Sequence, residues 1–234
     1  MVRIAIAGVV AGLVAAALAA PAGAFVGCHS GRTVFKHRRI RVFSIGRVGG
    51  RRSERGSHYR QYYVCGRGAR TPVMFDSGQP FNIESVSDFK VFGHRLGFVI
   101  GDQGIQSGAS VSVGWVRMPR GPVKTGAIWA TEGLPEEQEL EEHVPKVPAE
   151  QLEYAIARDG TVAVASEAHA SAAGRPLEWE VCDLRVKRHG LSRPRPLFKT
   201  SSPFEAPVLR TIAITGSIVS WRNIAGATIS VARR

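Results

Sequence analysis

Downstream of its first 24 residues, this chain is dominated by short runs in which apolar and polar residues alternate. Clusters of Gly, Asp, Asn and Pro separate the runs. A period of two places successive side chains on opposite faces of an extended strand, so each run predicts a half-buried β-strand. Residues 40–45 (IRVFSI), 59–64 (YRQYYV), 110–116 (SVSVGWV), 161–164 (TVAV) and 217–221 (SIVSW) are the clearest cases. Apolar residues at helical spacing are missing after the leader. The Glu-rich residues 135–143, with Pro145 and Pro148 beyond them, read as a surface helical turn or a solvated loop.

Three stretches share one plan of strand, Gly-containing turn, strand, polar turn, strand. The first runs through residues 89–93, 96–100 and on to Trp115-Val116. The second uses residues 154–157, the Asp159-Gly160 turn, residues 162–165 and residues 177–184. The third uses residues 210–214, Gly216, residues 218–221 and residues 228–231. Residues 33–75 supply at least three further strands. At roughly 50 residues per unit this predicts an all-β, propeller-like array of about four blades. The third unit stops after three strands; in a closed propeller an early N-terminal strand can complete the last blade, and residues 33–35 are available for that role. The layout resembles the small propeller-like repeat proteins exported by high-GC bacteria, and is loosely similar to WD40- and TolB-type blades. It lacks the Trp-Asp signature and the Ser-Pro-Asp-Gly turn of those blades. A β-sandwich with long hairpins is the alternative fold, because its local pattern is nearly the same.

The leader changes the setting. Arg3 is followed by residues 4–20, all apolar or Gly, then Pro21 and Ala22-Gly23-Ala24. A charged start, an apolar core and a small-x-small end predict a signal peptide over residues 1–24, cut before Phe25. The apolar stretch, rich in Ala, Gly and Val, is short for a membrane span. Phe25-Val26-Gly27-Cys28 resembles a lipobox, with Phe a poor fit at the usual Leu position. Residues 25–234 then form a single exported β-repeat domain, secreted or held at the cell envelope. Their length is ample for a hydrophobic core.

Export makes a disulfide permissible. Of the three cysteines, Cys28 and Cys65 lie in the same N-terminal unit and are expected to pair. Cys182 sits in an alternating strand between acids and reads as a buried free thiol, because neighbouring negative charge disfavours a thiolate.

The net charge is +12, carried largely by Arg. An Arg, Ala, Gly and Val bias is also what a GC-rich genome writes, so the local concentration of charge matters more than the total. Arg38, Arg39, Arg41, Arg47, Arg51, Arg52 and Arg55 crowd one segment, opposed only by Glu54, with Tyr59, Tyr62 and Tyr63 beside them. Arg forks pair with phosphates and carboxylates, and aromatic rings stack on sugars or bases. These ten residues are the expected anionic-ligand site. An exported protein meets teichoic acid, anionic lipid or acidic polysaccharide, so an anionic cell-wall polymer or polysaccharide is the expected partner and nucleic acid is not. The acidic run Glu136, Glu137, Glu139, Glu141 and Glu142 is the opposite pole.

Sequence motifs for chemistry are sparse. The seven His residues form no HxH, HxxxH or HExxH pattern, and no DxDxDG loop occurs, so neither metal nor cofactor is expected. Residues 104–108 (GIQSG) miss the GxSxG spacing of a nucleophile elbow. A glycosidase needs two facing carboxylates, for which Asp76, Asp88, Asp102, Glu132, Asp159 and Asp183 are the sequence candidates. The expectation is a non-catalytic binding or structural protein. An extracellular hydrolase of a carbohydrate or anionic polymer is the alternative.

Overall fold

The computed structural model describes residues 26–38, 40–48, 58–66, 69, 71–77, 82–104, 108–130, 152–168 and 178–233. The expected signal peptide over residues 1–24, its cut before Phe25, the Glu-rich run, Glu132, Arg39, Arg51, Arg52 and Arg55 lie outside the described residues. Within them the chain is all-β, as its alternation requires.

Four antiparallel sheets follow one another along the chain. The first is β1 (Arg32–His37), β2 (Ile40–Val48), β3 (His58–Cys65) and β4 (Val73–Ser77), paired in that order. The second is β5 (Asn82–Phe92), β6 (Arg95–Gly104), β7 (Gly108–Arg117) and β8 (Val123–Ala130). The third is β9 (Leu152–Ile156), β10 (Val162–Ala168), β11 (Glu178–Leu184) and β14 (Arg195–Thr200). A small hairpin of β12 (Val186–Lys187) and β13 (Gly190–Leu191) precedes its last strand. The fourth holds three strands, β15 (Ala213–Thr215), β16 (Ile218–Arg222) and β17 (Thr228–Ala232).

The sheets stack face to face in chain order. Val42, Tyr62, Val64 and Phe75 of the first meet Leu96, Phe98 and Val116 of the second. The opposite face of the second sheet gives Val99, Val111, Val113 and Trp115 to Leu152, Tyr154, Ile156, Val162, Val164, Cys182 and Leu184 of the third. Ala155, Ala163, Ala165 and Val181 on the far side of the third meet Ile212, Val219 and Trp221. A strand covered on both faces loses its in–out contrast. That is why residues 96–99 and 162–165 are buried without a break. Each large aliphatic or aromatic side chain so enclosed stabilises the stack by about 1.5–3 kcal/mol.

The first strands of the sheets lie along a common edge. The Phe35 and Phe89 ring centroids are 5.3 Å apart, linking β1 to β5. Tyr154 on β9 donates its hydroxyl to the Asp88 carbonyl of β5 at 2.6 Å, and Lys90 reaches Glu153 at 2.5 Å. β15 in turn lies against β9.

Two expectations need correcting. Residues 33–35 do not complete the fourth sheet: they belong to β1, which pairs with β2 through a short local hairpin. The β-sandwich alternative is replaced by a row of four sheets whose middle members pack on both faces. The outward face of the first sheet, with Phe43, Tyr63 and Cys65, is covered by Val26, Cys28 and Ile45. Cys28 and Cys65 are disulfide-bonded, with Cα atoms 5.8 Å apart. Near neighbours in one N-terminal unit were legible as partners.

Candidate functional site

In an antiparallel meander the first and third turns fall at the same end. Cross-sheet contacts show that these ends coincide in all four sheets. The Trp115 Nε1–H, near the end of β7, donates to the Gly160 carbonyl of the β9–β10 turn at 2.8 Å. Lys124 Nζ donates to the carbonyls of Lys187 (2.9 Å) and Arg188 (2.6 Å) in the β12–β13 hairpin. Arg233, after β17, pairs with Asp159 of the β9–β10 turn at 3.4 Å and bonds the Gly216 carbonyl of the β15–β16 turn. The result is one turn-lined end spanning the whole stack.

That end is basic. Arg38, Arg117, Arg120, Arg158, Lys187 and Arg188 are exposed there, and none of the six side chains has a hydrogen bond or ion pair with a described residue. Asp159 is the exposed carboxylate among these turns, and Arg233 already engages it. Burial would raise the pKa of Asp159, but the Thr161 N–H at 2.9 Å and the Arg233 guanidinium outweigh that. They hold the carboxyl below its ordinary value.

Two clefts open on this end. The larger lies between the first and second sheets and has a volume of about 820 Å³. His37 and Arg38 of the β1–β2 turn stand on one side of it, and Gly93 and His94 of the β5–β6 turn on the other. Ile40, Val91, Met118 and Pro119 line the rest, along with Gly66. Arg38 is held at φ 50°, a left-handed conformation that costs an L-residue about 1–2 kcal/mol. The matching turn positions of the second and fourth sheets carry Gly93 (φ 58°) and Gly216 (φ 56°). The smaller cleft, about 340 Å³, lies between the third and fourth sheets and is lined by Asp159, Thr161, Arg185, Val186, Ser217 and Arg233.

The residues singled out from sequence are dispersed. Arg38 is exposed at the large cleft. Arg41 is fully engaged by the protein. Its guanidinium donates to the carbonyls of Cys28, Ser30 and Gly31 and to Thr33 Oγ1, and lies 4.7 Å from the Phe43 ring centroid. It clamps the N-terminal segment rather than offering a ligand contact. Arg47 Nε donates to Gln61 Oε1 at 2.9 Å, and Tyr59 lies half-buried opposite it on β3. Tyr62 and Tyr63 are buried, one beside Phe75 and the other stacked on Phe43. They are core residues, because β3 packs on both faces and leaves no ring free to stack on a ligand.

Three of the sequence-nominated acids, Asp183, Asp88 and Asp159, serve as structural partners. Asp183 is buried and held by two bonds from Arg195, at 3.0 and 3.1 Å. Asp88, at φ 48° in a β-bulge, pairs with Lys90 at 3.1 Å. Asp159 is held by Arg233. Asp76 is half-buried on β4, and Asp102 lies on β6. Among the described residues, only the smaller of the two clefts has a carboxylate in its lining. Cys182 is buried, and burial followed by Glu180 and Asp183 pushes its thiol pKa well up, which keeps it protonated. Among the described residues no three His, Cys, Asp or Glu gather as a metal site.

Sequence reasoning missed His37, His94, Arg117, Arg120, Arg158, Lys187 and Arg188. They come in ones and twos along the chain, Arg117 with Arg120 and Lys187 beside Arg188, and a cation or His at or just beyond a strand end is the signal available. Family models, curated proteins and solved structures compared with this chain give no match.

Proposed function

We propose that the chain is an exported, non-catalytic β-repeat protein that binds an anionic polymer of the cell envelope through its basic turn end. The four sheets are read as blades of an open, propeller-like array. Their face-to-face order and the common edge of first strands support that reading. The observation that carries the function is the gathering at one end, among the described residues, of exposed cations without a partner and a single exposed carboxylate, itself engaged. Such a surface raises the local concentration of a polyanion, and its effect fades with salt. The leader pattern and the Cys28–Cys65 disulfide support an oxidising compartment. Arg51, Arg52 and Arg55 are proposed as a second, weaker contact.

Co-sedimentation with teichoic-acid-bearing cell-wall sacculi tests this. The Arg117→Ser, Arg120→Ser, Arg188→Ser triple variant should lose most of its retention at about 0.1 M salt, where the screening length is about 10 Å. The Arg51→Ser, Arg52→Ser, Arg55→Ser variant should lose less. Wild-type retention should collapse towards 1 M salt, where that length is about 3 Å. Equal retention of all three proteins at low salt would end the polymer reading. A loss confined to the second triple would move the site to that segment.

A further inference from the structure

We propose that the cleft between the first and second sheets is a binding site for a small organic anion, a phosphate or carboxylate head on an apolar body. This inference rests on the cleft itself and not on the polymer reading. Its volume, about 820 Å³, falls in the range of sites for medium-sized ligands, about 300–1,000 Å³. Ile40, Val91 and Met118 are half-buried along its walls and offer apolar contact. Its polar groups are of one kind. His37, Arg38 and His94 are exposed at its mouth, and among the described residues no carboxylate lines it. An anion entering would meet donors and a full positive charge without repulsion, whereas a cation would find no partner.

Arg38 is the group best placed to bind the head. Its side chain makes no hydrogen bond or ion pair with a described residue, so no described residue occupies its donors. A guanidinium fork matches the planar spacing of carboxylate or phosphate oxygens. Its backbone is the second, independent sign. The turn holds Arg38 at φ 50°, where the corresponding turns of two other sheets use Gly. Nothing lies within 4 Å of where a Cβ would stand at Gly93 or Gly216, so local packing does not explain the difference. Strain kept at one turn and relieved at its counterparts marks a position selected for its side chain. The neighbouring β7–β8 turn brings Met118 and Pro119 to the wall, and the Met118 N–H to His94 carbonyl bond (2.8 Å) ties it to the β5–β6 turn of the same sheet.

The test is isothermal titration of the mature, oxidised chain with dodecyl phosphate below its micellar concentration and, separately, with 1-naphthyl phosphate. At least one should bind saturably, one to one. Inorganic phosphate and dodecyltrimethylammonium should bind at least tenfold more weakly. Tighter binding of dodecyl phosphate would identify an alkyl, lipid-like body, and tighter binding of naphthyl phosphate a flat aromatic one. Arg38→Gln and His94→Glu, both on exposed turns, should weaken the titration at least tenfold with unchanged circular dichroism. The Arg117→Ser, Arg120→Ser, Arg188→Ser variant should titrate within twofold of wild type, since none of those residues lines the cleft. That arm separates failure here from failure of the polymer reading. Silence with both phosphates, equal binding of the cationic amphiphile, or full binding by Arg38→Gln and His94→Glu would each overturn the proposal.

Discussion

Neighbouring arginines in this chain have opposite fates. Arg41 satisfies its guanidinium on three carbonyls and a hydroxyl, so it serves the fold. Arg38, three positions earlier, has no such partner among the described residues and sits in a left-handed backbone. Sequence shows both as members of one basic cluster, because charge density carries no information on which guanidinium meets a carbonyl. Tyr62 and Tyr63 were misplaced for a related reason. A period-two reading sends one of two adjacent residues outward, but both faces of β3 are covered. The strain at Arg38 gives a residue-scale prediction. Arg38→Gly should stabilise the domain by about 0.5–1 kcal/mol, because glycine avoids the left-handed cost of about 1–2 kcal/mol while regaining some unfolded-state freedom. Urea unfolding measures it, and a lowered midpoint would show that Arg38 contributes contacts to the native state that outweigh its strain.

At the scale of elements, the first three strands of the later sheets were largely readable from sequence. Their alternation predicts strands over residues 96–100, 162–165 and 218–221, and these lie in β6, β10 and β16. The fourth strands β8 and β14 were not readable. β14 has Pro196 within it and a register shift opposite Val181 and Cys182, and its residues are only half-buried or exposed. An edge strand of that kind is fixed by its neighbour's hydrogen bonds rather than by its own pattern. The contact between the third and fourth sheets has a pH signature. The carboxyl of Asp159 has a depressed pKa when folded, through Thr161 and Arg233 acting against burial. A depressed carboxylate adds stability that is fully present above its unfolded pKa, about 3.9, and is lost as pH falls through the folded value. Wild type should therefore lose more of its thermal midpoint between pH 5 and about pH 2.5 than Asp159→Asn does. Parallel curves for the two proteins would show that the Asp159–Arg233 contact contributes nothing.

At the scale of the whole molecule, the basic end could not be read along the chain, because its cations come in ones and twos from turns of different sheets and only stacking gathers them. Net charge points to an anionic partner only as an expectation and does not locate a site for one. The local Arg cluster drew attention because it is contiguous, whereas the turn end is contiguous only in space. The same stacking makes a claim about cooperativity. In an open row each sheet shares its core with its neighbours alone, so stability resembles a sum of sheet and interface contributions. In a closed ring the fourth sheet would also support the first. Trp221 tests the difference. It is 1% exposed, its ring centroid lies 5.3 Å from that of Phe198, and it fills the core between the third and fourth sheets. Trp221→Ala removes a large buried ring, a change of about 3–5 kcal/mol. Hydrogen exchange read by mass spectrometry should then show protection lost in β15, β16 and β17 and reduced in β9 and β10, with β1, β2 and β3 unchanged. The first sheet is shielded from the effect because two further cores and its own disulfide-tied segment stand between it and the lesion. Loss of protection in β1–β3 equal to that in β15–β17 would mean that the ends of the row support each other, and the open array would be the wrong description.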